Sequence, residues 1–100
     1  MNNRFEIAKN FANEINSKYI NQIILFGSVA RNDDNPDSDI DILIVSNHRD
    51  KIWPQISDII ADTVLEKGEL ISAHVMPEKI FNETKNYTFL KSVLREGVVL

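Results

Sequence analysis

The sequence predicts a domain of the α/β class, in its α+β variant, in which helices pack against a small mixed sheet of three or four strands. Residues 4–19 and 50–66 place apolar side chains at three- and four-residue steps, which is the spacing of one helix face. Short apolar runs rich in β-branched residues lie between and after these segments, bounded by glycine, proline or clusters of turn-forming residues. Helix and strand patterns therefore alternate along the chain.

The first half of the chain is predicted to contain one helix and two strands. The helix covers residues 4–19. The run Ile-Ile-Leu-Phe at residues 23–26 is closed by Gly27 and is typical of a strand buried on both faces. Residues 32–38 are dense in Asn, Asp and Pro, which favour an exposed turn. A second strand is then predicted over residues 39–45.

The second half begins with the helix predicted over residues 50–66. Asp50 is placed to cap this helix, Pro54 is tolerable in its first turn, and Gly68 fits its C-terminal stop. The remaining pattern predicts a strand over 70–76 that ends at Pro77, a short helix over 78–82, a fuller helix over 87–96, and a final apolar segment over 98–100.

Length and composition indicate an ordinary globular domain. One hundred residues leave room for one domain, so residues 1–100 are expected to form a single unit. Hydrophobic residues make up 43% of the chain and charged residues 26%, which is close to the average for soluble domains. Trp53 and the five phenylalanines fall on apolar helix or strand positions and are expected in the core.

Charge and cysteine content exclude several classes of protein. Eleven Lys and Arg against fifteen Asp and Glu give a net charge of -4, and the scattered basic residues disfavour a nucleic-acid partner. The absence of cysteine excludes disulfides, thiolate zinc sites and thiol nucleophiles. Uninterrupted apolar runs such as residues 23–26 are too short to cross a membrane or to form a signal-peptide core. We therefore expect a cytoplasmic protein.

Gly27 and Ser28 stand where the first strand ends and a helix can begin. A glycine there lets a phosphate approach the backbone, and free N–H groups at a helix start, together with a serine hydroxyl, can bind its oxygens. A simple turn would account for the same two residues. The pair therefore needs a second feature before it defines a site.

Asp39 and Asp41 supply that second feature. They are two residues apart on the predicted strand, so both carboxylates project from one face, with Cα atoms about 6–7 Å apart. Two carboxylates this close can bind a hard divalent cation such as Mg²⁺, which also recruits substrate phosphates. A polar strand edge is the alternative interpretation. Apolar residues follow on both faces over residues 42–45, however, and place the two acids at the mouth of a buried strand.

The combination Gly27-Ser28, ten intervening residues and Asp39-Ile40-Asp41 resembles the signature of the polymerase β-like nucleotidyltransferase superfamily, in particular its minimal, single-domain members. The resemblance covers essentially the whole chain and implies the fold of that superfamily. It implies that Gly27 and Ser28 hold a nucleoside triphosphate. It also implies that Asp39 and Asp41 are the catalytic acids and the Mg²⁺ ligands during attack on the α-phosphorus.

Two further residues match the context of this motif, Arg31 shortly after Ser28 and Ser38 just before Asp39. Both are assigned by resemblance to nucleotide binding. For Arg31 an ion pair is an equal alternative to a contact with the triphosphate. Its candidate partners lie on the adjacent loop: Asp33, Asp34 and Asp37.

The predicted strand over 70–76 departs from the family pattern. Members with full activity carry a third carboxylate on a neighbouring strand, and this strand has no acid. Ser72 or His74 occupies the inward-facing polar position, with Ser72 the better match, and Glu69 could reach the site only if the strand starts late. A serine cannot act as a base near neutral pH. A histidine can, although a lone strand histidine is more often structural.

The resemblance implies transfer of AMP from ATP to a tyrosine hydroxyl on a small helical HEPN-type partner, as the antitoxin of a toxin–antitoxin pair. A chain without a substrate domain must take its acceptor from another protein. The alternative is a binding module that keeps the fold and neutralises or scaffolds a partner without turnover, which Ser72 in place of an acid favours. Small-molecule nucleotidylation is disfavoured because enzymes of that type carry extra domains for the acceptor. Either leading function is compatible with an oligomer.

Overall fold

The structure is a computed structural model that describes residues 3–100. Residues 1 and 2 of the predicted domain lie outside the described residues. Helices and strands follow one another in the order α1 (Asn3–Ile15), β1 (Gln22–Phe26), α2 (Gly27–Arg31), β2 (Ile40–Val45), α3 (Arg49–Lys67), β3 (Ile71–Met76), α4 (Glu78–Glu83), α5 (Thr88–Glu96) and β4 (Val98–Val99).

The four strands form one mixed sheet, which agrees with the predicted mixed sheet of three or four strands, and the structure gives their order as β3-β2-β1-β4. β1 is antiparallel to both β2 and β4, while β2 and β3 are parallel and joined by α3. A parallel pair needs such a crossover, because the chain must return to the starting edge of the sheet. The antiparallel pairing sets the end of β1 beside the start of β2, where Phe26 is opposite Asp41.

Both faces of the sheet are covered, which explains the continuous apolar runs of β1 and β2. Alternate strand residues on one face pack with α1 and α3, and this cluster contains Ile23, Leu25, Ile40, Ile42, Ile44 and Ile71. The opposite face packs with α4 and α5, and this cluster contains Ile24, Leu43, Val45, Phe81, Leu90 and Val93. The motif residues therefore stand at the end of strands that packing holds from both sides.

The helix predicted over residues 4–19 is wrong at its C-terminal end, because α1 stops at Ile15. The chain turns instead at Ser17, whose carbonyl accepts the N–H of Ile20 at 3.1 Å and whose hydroxyl accepts the N–H of Tyr19 at 3.3 Å. Serine offers the backbone these local bonds in competition with the helix. The Tyr19 ring remains partly buried, 5.1 Å from the ring of His48.

The predicted cap of the long helix is also wrong. α3 begins at Arg49 with His48 as its N-cap, so Asp50 lies in the first turn and Pro54 lies inside the helix, beyond that turn. Asp50 still favours this end of the helix through its negative charge. Gly68 does end the helix as predicted, in the left-handed conformation with φ 67°, and its N–H donates to the carbonyl of Val64 at 3.0 Å.

The aromatic residues follow the prediction with one exception. Trp53 and four of the phenylalanines are buried or partly buried. Phe89 is wrongly predicted as core, since 47% of it is exposed. The buried face of α5 is formed by Leu90 and Val93. Phe89 is one position before Leu90, and successive residues on a helix point in different directions, so its side chain lies off this face.

Within residues 3–100, no helix is long and apolar enough to cross a membrane.

The two-sided burial of β2 predicts the cost of a cavity. Leu43→Ala is expected to lower the free energy of unfolding by about 2–5 kcal/mol, because Leu43 is fully buried in the second cluster. Leu65→Ala is the matched control, since Leu65 is 83% exposed and should cost less than about 0.5 kcal/mol. Urea unfolding of both variants measures the difference. Equal losses would contradict the described packing.

Candidate active site

The two halves of the sequence motif meet at Gly27 and Asp41. Gly27 follows β1 directly with φ 75°, a conformation that favours glycine. A Cβ built on Gly27 would overlap the Oδ2 atom of Asp41, so the Asp41 carboxylate lies directly against the glycine backbone. Glycine is required here both by its backbone angle and by its neighbour.

Asp39 precedes β2 rather than lying in it, which corrects the predicted start of that strand. The first bond of this part of the ladder is made by the N–H of Ile40, which donates to the carbonyl of Leu70 at 2.9 Å. Asp39 is exposed and belongs to the end of the polar loop. It nevertheless lies close enough to act electrostatically on Asp41.

The electrostatics of Asp41 distinguish it from the surface acids. Partial burial raises the pKa of Asp41, and the like charge of Asp39 raises it further, while His74 and Arg31 lower it. The protein therefore holds two carboxylates together at a cost to the ionised form. A bound cation would remove that cost, which is the electrostatic character of a metal or phosphate-transfer site.

The β3 strand places Ser72 directly beside Asp41 in the parallel ladder. His74 lies on the same face two residues further, with its Nε2 atom 3.4 Å from the Ser72 hydroxyl and its ring 5.8 Å from that of Phe26. Thus the position expected for a third carboxylate is held by a serine with a histidine next to it. Across residues 3–100, no group of three or more His, Cys, Asp or Glu side chains could hold a metal by itself.

Glu69 is committed elsewhere. Its carboxylate accepts a hydrogen bond from the Nε atom of Arg4 at 2.8 Å, and this partner raises the pKa of Arg4. The same buried guanidinium binds the Asp34 carboxylate at 2.8 Å and the backbone carbonyls of Asn35 and Pro36. We call these contacts the Arg4 clamp. It fixes the polar loop that leads to Asp39, and it keeps Glu69 from serving as the missing acid.

Arg31 and Ser38 have defined partners in the structure. Arg31 forms ion pairs with Asp33 at 3.1 Å and with Glu96 of α5 at 3.2 Å, so one of the three predicted loop partners is correct. The Ser38 hydroxyl accepts the backbone N–H of Asn35 at 3.0 Å and thereby shapes the turn before Asp39. Ser28 lies in the first turn of α2, next to Gly27.

Sequence reasoning missed Arg4, Glu96 and the exposure of Phe89. A signal for Arg4 exists, because it lies four residues before Ala8 and so falls on the apolar face of α1. No comparable signal marks Glu96, whose partner Arg31 lies 65 residues away in the sequence.

Comparison with known proteins identifies the class to which this fold and site correspond. Residues 8–99 match the sequence profile of the nucleotidyltransferase domain, so the chain belongs to the nucleotidyltransferase domain family. The resemblance found in the sequence motif is thereby confirmed at the level of the family.

Two individual proteins are similar to this chain. One, from Methanocaldococcus jannaschii, is 43% identical over 101 residues, with 98% of each chain covered, and bears the name "Putative protein adenylyltransferase". The other is a crystal structure of a "putative nucleotidyltransferase" from Sulfolobus solfataricus, with a TM-score of 0.50 and 24% identity, covering 94% of this chain and 72% of that one. The first is a relative along its whole length, and the second shares the fold.

The contact between Gly27 and Asp41 predicts that a side chain at position 27 lowers the free energy of unfolding by more than backbone strain alone would. Gly68→Ala is the matched control, because Gly68 also has positive φ but has open space around it, and it should cost about 1–2 kcal/mol of unfolding free energy. Gly27→Ala should cost about 1 kcal/mol more, since its Cβ displaces the Asp41 carboxylate. In a double-mutant cycle with Asp41→Ala, that extra cost should largely disappear. Equal costs at both glycines would contradict the described contact.

The raised pKa of Asp41 predicts a pH dependence with a definite sign. The folded state holds this proton more tightly than the unfolded chain, so the native protein should lose stability as the pH rises above the ordinary aspartate pKa of 3.8. Asp41→Asn removes the titration. As the pH rises from about 3 to 7, the unfolding free energy of this variant should therefore increase relative to that of the native chain. Urea titrations without divalent cations measure the difference. Asp58→Asn, on an exposed position of α3, is the control and should follow the native curve.

Proposed function

We propose that this protein is a Mg²⁺-dependent nucleotidyltransferase that moves AMP from ATP to a hydroxyl group of a partner protein. The observation that carries the proposal is the partly buried Asp41 carboxylate set against Gly27, with Asp39 beside it. The membership of this chain in the nucleotidyltransferase domain family supports a role for the two acids in nucleotide transfer.

The donor set fits Mg²⁺. This ion is usually bound by one or two carboxylates together with substrate phosphates and water, rather than by a complete protein cage. Asp39 and Asp41 provide such a pair, and a serine at the third position leaves ligand places to phosphate oxygens and water. When bound, Mg²⁺ would neutralise phosphate charge and stabilise the charge that develops at the α-phosphorus.

The residues of this chain would then divide the work of binding and orientation. Gly27 allows the triphosphate to approach the backbone, and the Ser28 hydroxyl can bind a phosphate oxygen. Arg31, whose positive charge acts on Asp41, would add positive charge to the site, and the hydroxyl of Ser38 shapes the turn before Asp39 by accepting the N–H of Asn35. The acceptor oxygen forms a bond to the α-phosphorus while the bond to the bridging oxygen breaks, and pyrophosphate leaves.

The proton of the acceptor hydroxyl needs a destination in the absence of a third carboxylate. Ser72 cannot take it near neutral pH. His74 is exposed on the same face as Asp41 and within reach of the Ser72 hydroxyl. We assign the role of proton acceptor to His74, with Ser72 orienting its ring.

A protein acceptor is favoured by the relative from Methanocaldococcus jannaschii, which matches along 98% of both chains and whose name specifies protein adenylylation. Within that class we propose a tyrosine of a small helical HEPN-type protein as the acceptor, and the antitoxin of a HEPN-containing pair as the biological role. Nucleotide transfer onto the partner would inactivate it.

A second function remains in competition because of one observation. Ser72 stands beside Asp41, where a third acid would complete the site. A chain that had kept the fold for recognition alone could lose that acid without penalty. In this alternative the protein binds and neutralises the same partner without turnover.

Transfer of label from α-labelled ATP separates the two functions. With Mg²⁺ and the product of the adjacent gene, the native chain and the control Asp58→Asn should label the partner. Asp41→Asn should reduce the rate by at least about 100-fold, the loss typical of a group that stabilises transition-state charge.

Binding to the partner is measured in parallel, so that each outcome decides between the functions. Absence of label with a stable complex that survives Asp41→Asn would establish the binding module instead. If the partner is not labelled and no complex forms, both proposals are overturned.

A further inference from the structure

A cavity of about 310 Å³ lies next to Gly27, between α2 and α5. Its walls include Phe26, Arg31 and the α5 residues Phe89, Ser92 and Glu96. Since Gly27 itself borders the cavity, the cavity and the Asp41 carboxylate share the same glycine. A ligand held at Gly27 is therefore close enough to this space to extend into it.

One wall of the cavity is the aromatic ring of Phe89, which is not part of the hydrophobic core. Phe89 is 47% exposed, and its ring meets that of Phe26 edge-on, with centroids 5.5 Å apart and an angle of 88°. Phe26 is the last residue of β1, so its edge-on contact holds the Phe89 ring in place. A supported, half-exposed aromatic ring is a stacking platform for a flat ligand.

The charges around the cavity argue against phosphate as its occupant. Arg31 is already bound to the carboxylates of Asp33 and Glu96, and Glu96 itself lines the cavity. An anion placed in this space would be repelled by the Glu96 carboxylate. Ser92 adds a hydroxyl that can hydrogen-bond a neutral polar group. The walls thus fit a neutral, aromatic ligand with polar edges.

The volume is consistent with such a ligand. Small-molecule sites have volumes of about 300–1,000 Å³, and this cavity lies at the lower end of that range. The space suits one nucleoside but leaves the triphosphate outside, at Gly27.

We propose that this cavity binds the nucleoside of the substrate, with its base stacked on Phe89. The inference rests on the proposed function, because it takes the triphosphate to lie at Gly27 and Ser28. Phe89 is then a specificity-determining residue that selects a nucleotide over a bare polyphosphate. Stacking is available to every base, so the cavity selects for a nucleoside rather than for one particular base.

The test compares two ligands that share their phosphates and differ in the nucleoside. Binding of ATP and of inorganic tripolyphosphate is measured by calorimetry in Mg²⁺ for the native chain, Phe89→Ala and Leu94→Ala. Leu94 is the matched control, because it lies on the same helix and is 43% exposed but does not line the cavity. Phe89→Tyr keeps the ring and serves as the rescue variant.

Phe89→Ala should weaken the binding of ATP at least about fivefold, which is the lower end of the effect of removing an aromatic ring that stacks on a base. It should leave tripolyphosphate unchanged. Leu94→Ala and Phe89→Tyr should bind both ligands within about twofold of the native chain, given that exposed substitutions perturb the fold little.

Three outcomes would overturn the inference, and they are distinguishable. Unchanged ATP binding in Phe89→Ala refutes the stacking role while leaving the proposed function intact. If Phe89→Ala weakens the binding of both ligands equally, Phe89 acts only on the structure of the phosphate site. Failure of the native chain to bind either ligand refutes the proposed function, and the inference falls with it.

Discussion

The contact between the Asp41 carboxylate and the backbone of Gly27 is the constraint around which the site is built. It exists because β1 and β2 are antiparallel and pair Phe26 with Asp41, which brings the last residue of one strand beside the start of the next. A side chain at position 27 would occupy the space of the carboxylate, and a left-handed backbone there disfavours one in any case. The glycine, the acid and the strand register therefore depend on one another.

The Arg4 clamp extends this order to the loop that carries Asp39. One guanidinium joins α1 to Glu69, to Asp34 and to two loop carbonyls, at a position that is almost fully buried. A buried charge is stable only when its bonds are satisfied, so the loop is held in the shape that satisfies them. The clamp also occupies Glu69, which explains why the acid nearest in sequence to Ser72 plays no part beside Asp41.

The arrangement has the energetic character of a functional site. Holding Asp41 partly buried beside Asp39 raises its pKa, which costs stability when it is ionised, and core packing on both faces of the sheet supplies the rigidity that tolerates this cost. The serine at position 72 spares the fold a third negative charge. In the proposed transfer reaction this serine leaves the role of proton acceptor to His74, whereas in the alternative binding module it has no catalytic consequence.

Local patterns in the sequence determined the element types, the mixed sheet and the family motif, because helix and strand periodicities and the spacing of Gly27-Ser28 and Asp39-Ile40-Asp41 are properties of neighbouring residues. The same patterns misplaced the end of α1 and the start of β2, where turn and ladder hydrogen bonds compete with periodicity. Only the tertiary structure decided that Ser72 lies beside Asp41, that Arg31 meets Glu96, and that Arg4 holds Glu69. These pairs are separated by 31 to 65 residues, and packing rather than sequence spacing brings them together.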